Sequence, residues 1–264
     1  MSPRGALVAL AFAFFTPGAA LSAMSAMSRT TILGFGSLLS ETSSRLTFPD
    51  LEAFRLVRVP GYRRVFQHPA SIFFERGIAT RASGAFCSLS AEPLADGGAG
   101  GGGGFVASAF EVAMTPDARA AFERREEEFA IVSARYEPLL ASAEGADGGA
   151  EGGGAGGGEG LLCTPSTDDA YRARYGDAVF DERYGKHGLE RIWGWPRDSG
   201  VTPCPVYLRH CVLAAEKCGD AARDSFLDET FLVDRSTTVR QHLAAHPEVM
   251  ATRPPPELEG RYSG

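Results

Sequence analysis

The chain has 264 residues, of which 44% are hydrophobic, and this is enough apolar material to bury the core of one large globular domain. Its formal net charge is −7, from 26 lysines and arginines against 33 aspartates and glutamates, so a basic nucleic-acid-binding surface is not expected. Much of the excess is local, because a stretch without basic residues holds Glu144, Asp147, Glu151 and Glu159.

The first 28 residues differ in composition from the rest of the chain. Arg4 precedes an apolar run over residues 6–15, and small residues follow Pro17. This order is typical of a signal sequence, and the run is too short to span a bilayer. The alternative is a mispredicted start codon, since Met24 and Met27 could each begin translation. If this segment is a signal sequence, it predicts the secretory route or a secondary plastid; otherwise the cytoplasm is expected. No membrane span is expected in the rest of the chain.

The part of the chain over residues 30–140 is predicted to be mainly β-structure. Runs of β-branched and aromatic residues predict strands over 30–33, 54–59, 62–66, 85–89, 105–114 and 129–136. Two glycine-rich stretches, 97–104 and 141–160, are predicted to be flexible loops inserted into one domain. Their residues have too little apolar surface to offset the entropy lost on ordering.

One helix is predicted among these strands, with Thr115 as its N-cap and Pro116 as its first residue, running to about Glu128. Four further helices are predicted after residue 165. The first begins at 166–169, and the others cover 205–217, 220–229 and 237–245. A β-rich half followed by a helical half indicates the α+β class. We expect one domain over residues 29–250 and an irregular tail over 251–264.

The first predicted strand ends in a glycine-rich turn, Gly34-Phe35-Gly36-Ser37-Leu38. Two glycines around one residue let the backbone turn sharply and expose N–H groups, which can bind a carboxylate or a phosphate. The turn matches neither the dinucleotide fingerprint nor the nucleophile elbow, because glycines are missing at the required positions. An ordinary tight turn at the end of a strand remains the alternative.

One acid of the predicted helix lies on its apolar face. At 100° per residue, Glu126 lies about 40° from Phe122, whereas Glu127 and Glu128 lie about 100° or more away and are expected to be solvated. A carboxylate that points toward an apolar interior is expected to have a raised pKa and to exchange a proton near neutral pH. The alternative is an inward glutamate in an ion pair with Arg125.

The cysteines indicate neither a disulfide framework nor a metal site. The chain has five, an odd number, and none forms a CxxC pair, so buried thiols are expected and a disulfide scaffold is not. Cys204, His210, Cys211 and Cys218 match no zinc-ligand spacing, and no metal site is expected. An acyl transferase that uses Cys204 or Cys211 is an alternative without a supporting signature.

Two further segments are interpreted as structural. Arg63 and Arg64 alternate along a predicted strand, which is more typical of a solvated strand face than of a substrate clamp. Trp193 and Trp195 are expected in a packed aromatic loop.

Three segments occur in an order that is typical of one family. The first is the turn over residues 34–38, the second is Val59-Pro60-Gly61-Tyr62-Arg63-Arg64-Val65-Phe66, and the third is Arg125-Glu126-x-x-Phe129. Together they resemble the gamma-glutamylcyclotransferase superfamily over residues 30–140. The family usually has tyrosine where this chain has Phe35 and Phe129, so the substrate subgroup stays open.

The resemblance implies a small mixed β-barrel with surrounding helices and a helical C-terminal extension. It implies that the turn backbone at Phe35, Gly36, Ser37 and Leu38 binds the substrate's α-amino-acid end, and that Glu126 is the general acid/base.

The implied reaction joins the amine of a γ-glutamyl group to its own γ-carbonyl and releases 5-oxoproline and an amine, without cofactor or metal. Glutathione, γ-glutamyl amino acids and γ-glutamyl amines are all compatible substrates. The alternative is a non-catalytic module on the same barrel that binds a small molecule or a protein. The oligomeric state is left open.

Overall fold

The computed structural model describes residues 29–95, 103–139 and 156–264. The expected signal segment over residues 1–28 lies outside the described residues, as do most of the two glycine-rich stretches. The described part has the predicted α+β class. None of its helices is long and apolar enough to cross a membrane.

Nine strands are described in two sheets. They are β1 (Arg29–Gly34), β2 (Glu52–Pro60), β3 (Tyr62–Pro69), β4 (Ala85–Pro93), β5 (Gly104–Ala113), β6 (Ala130–Pro138), β7 (Gly158–Thr164), β8 (Thr202–Pro203) and β9 (Thr230–Phe231). Five of them close into a barrel in the order β1-β5-β2-β6-β7, which confirms the expected barrel. All pairs in the barrel are antiparallel except β1 with β7, where Ile32 lies opposite Leu161.

The second sheet has the order β8-β4-β3-β9. Its centre is the antiparallel pair β3 and β4, and the two short edge strands run parallel to their neighbours. One continuous apolar core runs through the barrel, this sheet and the helices packed on them.

Nine α-helices are described. They are α1 (Glu41–Arg45), α2 (Ser71–Glu75), α3 (Pro116–Arg125), α4 (Asp168–Tyr175), α5 (Asp177–Arg183), α6 (Pro205–Lys217), α7 (Asp220–Asp228), α8 (Val239–Ala245) and α9 (Glu248–Ala251). Five of them, α3, α4, α6, α7 and α8, lie where helices were predicted, whereas α1, α2, α5 and α9 were not predicted. Short 3-10 helices also occur, at Ser37–Leu39 and Pro256–Arg261 among others.

Helix α3 begins as predicted but ends earlier. The Thr115 side chain accepts a hydrogen bond from the Ala118 amide at 3.1 Å, and Pro116 is the first helical residue. The helix ends at Arg125, because the backbone of Glu126 leaves the helical conformation and β6 already begins at Ala130. The helical phase used for the acids beyond Arg125 therefore does not apply to them.

The second glycine-rich stretch is partly a strand rather than wholly a loop. Residues 158–160 belong to β7, which pairs with β6 from Gly158 opposite Tyr136 onward. A Cβ atom at Gly160 would lie 2.9 Å from Cγ of Leu33 and 3.1 Å from the Thr31 side chain. Glycine is required there by close packing against β1, and not by a need for mobility.

The interpretation of Arg64 as a solvated residue was wrong. Its side chain is fully buried between the rings of Phe105 and Phe226 and donates hydrogen bonds to the Val106 carbonyl and the Ser225 hydroxyl. Burial lowers its pKa to about 9. Alternation along the sequence predicts a solvated face only for a strand with one face open to water. At Arg64 both faces of β3 are covered, so the prediction failed.

The C-terminal residues are also more ordered than an irregular tail. Residues 256–261 form a 3-10 helix, and the following Tyr262 is only 4% exposed. The Tyr262 hydroxyl accepts a hydrogen bond from Arg76 at 2.8 Å, which fastens this segment to the end of α2.

Candidate functional site

A cavity of about 450 Å³ brings together the glycine-rich turn and the three acids that follow α3, Glu126, Glu127 and Glu128. Its wall includes the turn over residues 34–38, the segment 70–76 around α2, the segment 124–129 that links α3 to β6, Tyr207 of α6, and Arg261 with Tyr262. All five residues that the sequence singled out, Phe35, Gly36, Ser37, Leu38 and Glu126, line this cavity.

The two glycines of the turn are explained by close contacts. A Cβ atom at Gly34 would lie 2.5 Å from the Ser108 hydroxyl, and one at Gly36 would lie 2.6 Å from the Tyr207 hydroxyl. The Ser108 hydroxyl also donates to the Leu38 carbonyl at 2.7 Å and so fixes the turn from inside the barrel. The Ser37 amide faces the Tyr207 hydroxyl, whereas no acceptor is found within the described residues for the amides of Gly36 and Leu38. These two amides are therefore available to a ligand.

Phe35 contributes to the core as well as to the cavity wall. Its side chain is buried and packs edge-on against Phe105, with the ring centroids 6.0 Å apart. Because the ring is held in the core, the backbone is what residue 35 can offer to a ligand.

Glu126 is the first residue after α3. Its amide donates to the Phe122 carbonyl at 2.9 Å, and its side chain is 13% exposed. Arg125 Nε lies 2.8 Å from Oε1 of Glu126, so the ion pair considered as an alternative is formed. The same guanidinium donates to the Ser37 hydroxyl at 3.1 Å. Arg125 thus links the acid to the turn.

Glu127 is buried rather than solvated. It is 8% exposed, pairs with Arg183, and accepts a hydrogen bond from the Tyr171 hydroxyl at 3.3 Å. These partners lie on α4 and α5 and were not identifiable from the sequence near residue 127.

Glu128 is a second buried acid that lines the cavity. It is 6% exposed, and one oxygen accepts hydrogen bonds from the Ser71 amide at 3.3 Å and the Tyr184 hydroxyl at 2.8 Å. Burial raises its pKa to about 7, and the nearby charge of Glu126 acts in the same direction. The Glu128 carbonyl accepts from Trp193 Nε1 at 2.9 Å, which places the aromatic loop behind the site.

Tyr207 is a polar group of the site that sequence reasoning missed. It lies on α6, far along the chain from the turn, and its hydroxyl reaches the backbone at Gly36. Burial raises its pKa well above the usual value, and Cys211 and Glu126 add to this, so the hydroxyl stays protonated and can donate. No motif surrounds Tyr207, so nothing in the sequence would have marked it.

The cysteines are poor candidates for a nucleophile. All five are free thiols, and burial raises the pKa of Cys204 to about 11 and that of Cys211 to about 12. A thiol in this state holds little of the reactive thiolate, and neither residue lines the cavity. The acyl-transferase alternative therefore has no structural basis. The described residues contain no group of three or more His, Cys, Asp or Glu placed to bind a metal ion.

No protein-family model and no curated protein matches this chain. Similar solved structures include a yeast gamma-glutamyl cyclotransferase specific to glutathione, 12% identical, which covers 85% of this chain and 96% of its own with a TM-score of 0.43. An uncharacterized human protein is 10% identical, with coverages of 72% and 80% and a TM-score of 0.40. A gamma-glutamyl cyclotransferase is also 10% identical, with coverages of 73% and 81% and a TM-score of 0.37.

Two of these three structures carry the name of the family that the sequence motifs resemble. At this level of identity and TM-score, the likeness is no basis for transferring an activity or a substrate to this chain.

Proposed function

We propose that this chain is a gamma-glutamylcyclotransferase, which converts a γ-glutamyl compound into 5-oxoproline and a free amine. The observation that carries the proposal is that Glu126 and the amides of Gly36, Ser37 and Leu38 line one cavity, with Arg125 hydrogen-bonded to both Glu126 and Ser37.

The turn is suited to binding the α-carboxylate of the glutamyl group. Amides without an internal acceptor, here those of Gly36 and Leu38, attract an anion, and backbone groups keep their positions without loss of side-chain entropy. Ser37 adds a hydroxyl on the same turn, held by Arg125 at 3.1 Å. Binding at this end leaves the γ-carbonyl free to fold back toward the α-amine. Holding a flexible chain in that cyclic shape lowers the barrier by removing its rotational freedom beforehand.

Glu126 is proposed to move the protons. Its carboxylate accepts a proton from the α-ammonium group, and the free amine attacks the γ-carbonyl carbon. A new C–N bond closes the five-membered ring. The proton on Glu126 then passes to the leaving nitrogen as the old γ-amide bond breaks. The regenerated carboxylate takes the second proton from the ring nitrogen, and the released amine takes up this proton as an ammonium group. The substrate supplies its own nucleophile, so the five cysteines are not needed for this reaction.

Glu126 is a better acid/base candidate than Glu128. Oε1 of Glu128 already accepts two hydrogen bonds, from Ser71 and Tyr184, and these hold it in the wall. Glu126 has its partner on the neighbouring Arg125, which also reaches the turn where the substrate would bind. Glu128 is then a structural acid whose neutral form fits its buried position.

Replacement of Glu126 by glutamine tests the assignment. Glu126→Gln keeps the size of the side chain but cannot take up the proton, so we expect kcat for 5-oxoproline release to fall by about 100-fold or more. The full-length protein is assayed with glutathione, γ-glutamyl dipeptides and γ-glutamyl amines, and the melting temperature is measured in parallel.

The matched control is Glu123→Gln on the same helix. Glu123 pairs with Arg119 and Arg174 and does not line the cavity, so its replacement is expected to leave kcat unchanged. Full activity of Glu126→Gln would contradict the mechanism. Turnover of no γ-glutamyl compound by the wild-type protein, together with measurable affinity for one, would favour the binding-module alternative.

A further inference from the structure

Five arginines line the cavity. Arg183 pairs with Glu127, and Arg124 is an exposed residue of α3. Arg125 is occupied by Glu126 and Ser37. Arg76, at the end of α2, and Arg261, in the C-terminal segment, form no ion pair within residues 29–95, 103–139 and 156–264. With five arginines against the four glutamates Glu75, Glu126, Glu127 and Glu128, the wall carries an excess of positive charge.

Arg76 is held in place by the C-terminal segment. Its Nη1 donates to the Tyr262 hydroxyl at 2.8 Å, and its guanidinium lies 5.8 Å from the centre of the same ring. Tyr262 is itself buried and packs edge-on against His210, with the ring centroids 5.7 Å apart. This contact also brings Arg261, the preceding residue, to the cavity rim.

The arginines are close enough to repel one another. The pKa of Arg261 is lowered first by burial and then by the charges of Arg76 and Arg125, while Tyr262 acts in the opposite direction. Arg261 is nevertheless mostly exposed, so its side chain can turn toward a ligand. Like charges gathered at a cavity rim are stabilised when an anion binds between them, and a guanidinium suits the two oxygens of a carboxylate.

We propose that Arg76 and Arg261 bind a carboxylate on the amine that is released. Since the proposed function already places the substrate's α-carboxylate at the turn, the two arginines are left for a second anionic group. The substrate class is then γ-glutamyl amino acids and γ-glutamyl peptides, and not γ-glutamyl amines without a carboxylate. This inference rests on the proposed function.

A matched pair of substrates isolates the second carboxylate. The full-length protein is assayed with γ-glutamyl-alanine and with γ-glutamyl-alaninamide, which differ only in that group. We expect the wild-type kcat/KM to be about tenfold higher for the carboxylate, in line with one charged hydrogen-bonded contact. In the variants Arg261→Gln and Arg76→Gln, kcat/KM is expected to fall about tenfold for γ-glutamyl-alanine and to change little for γ-glutamyl-alaninamide.

The control variant is Arg253→Gln, an exposed arginine of the same C-terminal region that does not line the cavity. It is expected to keep the wild-type preference. Because Arg76 fastens the C-terminal segment, a second measurement uses the wild-type protein alone. Free alanine is expected to inhibit turnover more strongly than alaninamide does.

The outcomes separate this inference from the proposed function. Turnover of both substrates with equal kcat/KM, or equal losses on both in the Arg261→Gln variant, would overturn the carboxylate site and leave the cyclotransferase intact. Equal inhibition by alanine and alaninamide would also overturn it. Turnover of neither these substrates nor any other γ-glutamyl compound would overturn the proposed function, and this inference with it.

Discussion

At the scale of single residues, burial decides which form each acid of the site adopts. Glu126, Glu127 and Glu128 follow one another at the end of α3, yet each meets a different set of partners. Two of them are balanced by the guanidinium groups of Arg125 and Arg183. Glu128 has only uncharged partners, so the protonated carboxyl is the form that fits its surroundings.

This difference predicts a pH-dependent stability. The pKa of Glu128 is about 7 in the folded chain, against the usual value of 4.5. The folded state therefore holds the proton more tightly, and the stability due to this group is complete below about pH 4.5 and is lost as the pH rises toward 7. Glu128→Gln cannot ionise, so it is expected to be more stable than wild type at pH 7.5, by up to about 3 kcal/mol.

Urea unfolding of both proteins at pH 5 and pH 7.5 checks this expectation. The gain in the free energy of unfolding should be small at pH 5 and largest at pH 7.5. Glu123→Gln, at an exposed ion pair, is the control and should show no such rise. A gain for Glu128→Gln that does not depend on pH would contradict a buried, protonated carboxyl.

At the scale of elements, Arg64 joins three parts of the fold. It projects from β3, donates to the Val106 carbonyl of β5, and donates to Ser225 of α7. The Ser225 hydroxyl also accepts from the Val106 amide at 2.8 Å, which completes the contact between α7 and the barrel. A single buried guanidinium thus fastens the helical half of the chain to the β-rich half.

Removing this contact is expected to destabilise the whole chain. Arg64→Ala leaves the Val106 carbonyl without its side-chain donor and opens a cavity between two phenylalanine rings. We expect a loss of about 3 kcal/mol or more in the free energy of unfolding, measured by urea titration.

The neighbouring residue on the same strand provides the control. Arg63 is partly exposed and pairs with Glu92, which keeps Arg235 as a second partner when Arg63 is removed. Arg63→Ala is expected to cost at most about 1 kcal/mol. Similar losses for the two alanine variants would show that Arg64 does not have this fastening role.

At the scale of the whole molecule, the barrel closes through β7, whose first three residues are the last three of the second glycine-rich stretch. Strands β6 and β7 pair along their length, from Ala130 opposite Thr164 to Tyr136 opposite Gly158. Parallel pairing of β7 with β1 then completes the circle. The described residues next to the connection between β6 and β7, Pro138, Leu139 and Gly157, do not line the cavity.

We predict that neither stability nor activity depends on the length of the segment between β6 and β7, and shortening this segment tests the prediction. Replacement of residues 140–155 by Gly-Ser-Gly-Ser is expected to change the free energy of unfolding by no more than about 1 kcal/mol, because the entropy of loop closure depends only logarithmically on length. The value of kcat/KM for γ-glutamyl substrates should be unchanged. A glycine-serine replacement of the original length is the control, and loss of activity in the short variant alone would contradict the prediction.

The sequence by itself determined the features that depend on neighbours along the chain. The N-cap Thr115 followed by Pro116 set the start of α3, and β-rich runs predicted the barrel strands β1, β2, β5 and β6 but not β7. The turn over residues 34–38 was marked by its glycines. Caps, turns and strands are readable because their propensities act over a few residues. Glu126 was instead chosen from the family resemblance and from a helical phase that ends at Arg125.

Only the tertiary structure decided the rest of the site. Helix α3 ends at Arg125, the pairing of β6 with β7 begins at Ala130, and Glu128 between them is buried. Tyr207 reaches Gly36 from α6, and Arg76 meets Tyr262 across 186 positions of sequence. Such contacts depend on how whole elements pack, and no pattern of neighbouring residues records which distant side chain will lie opposite.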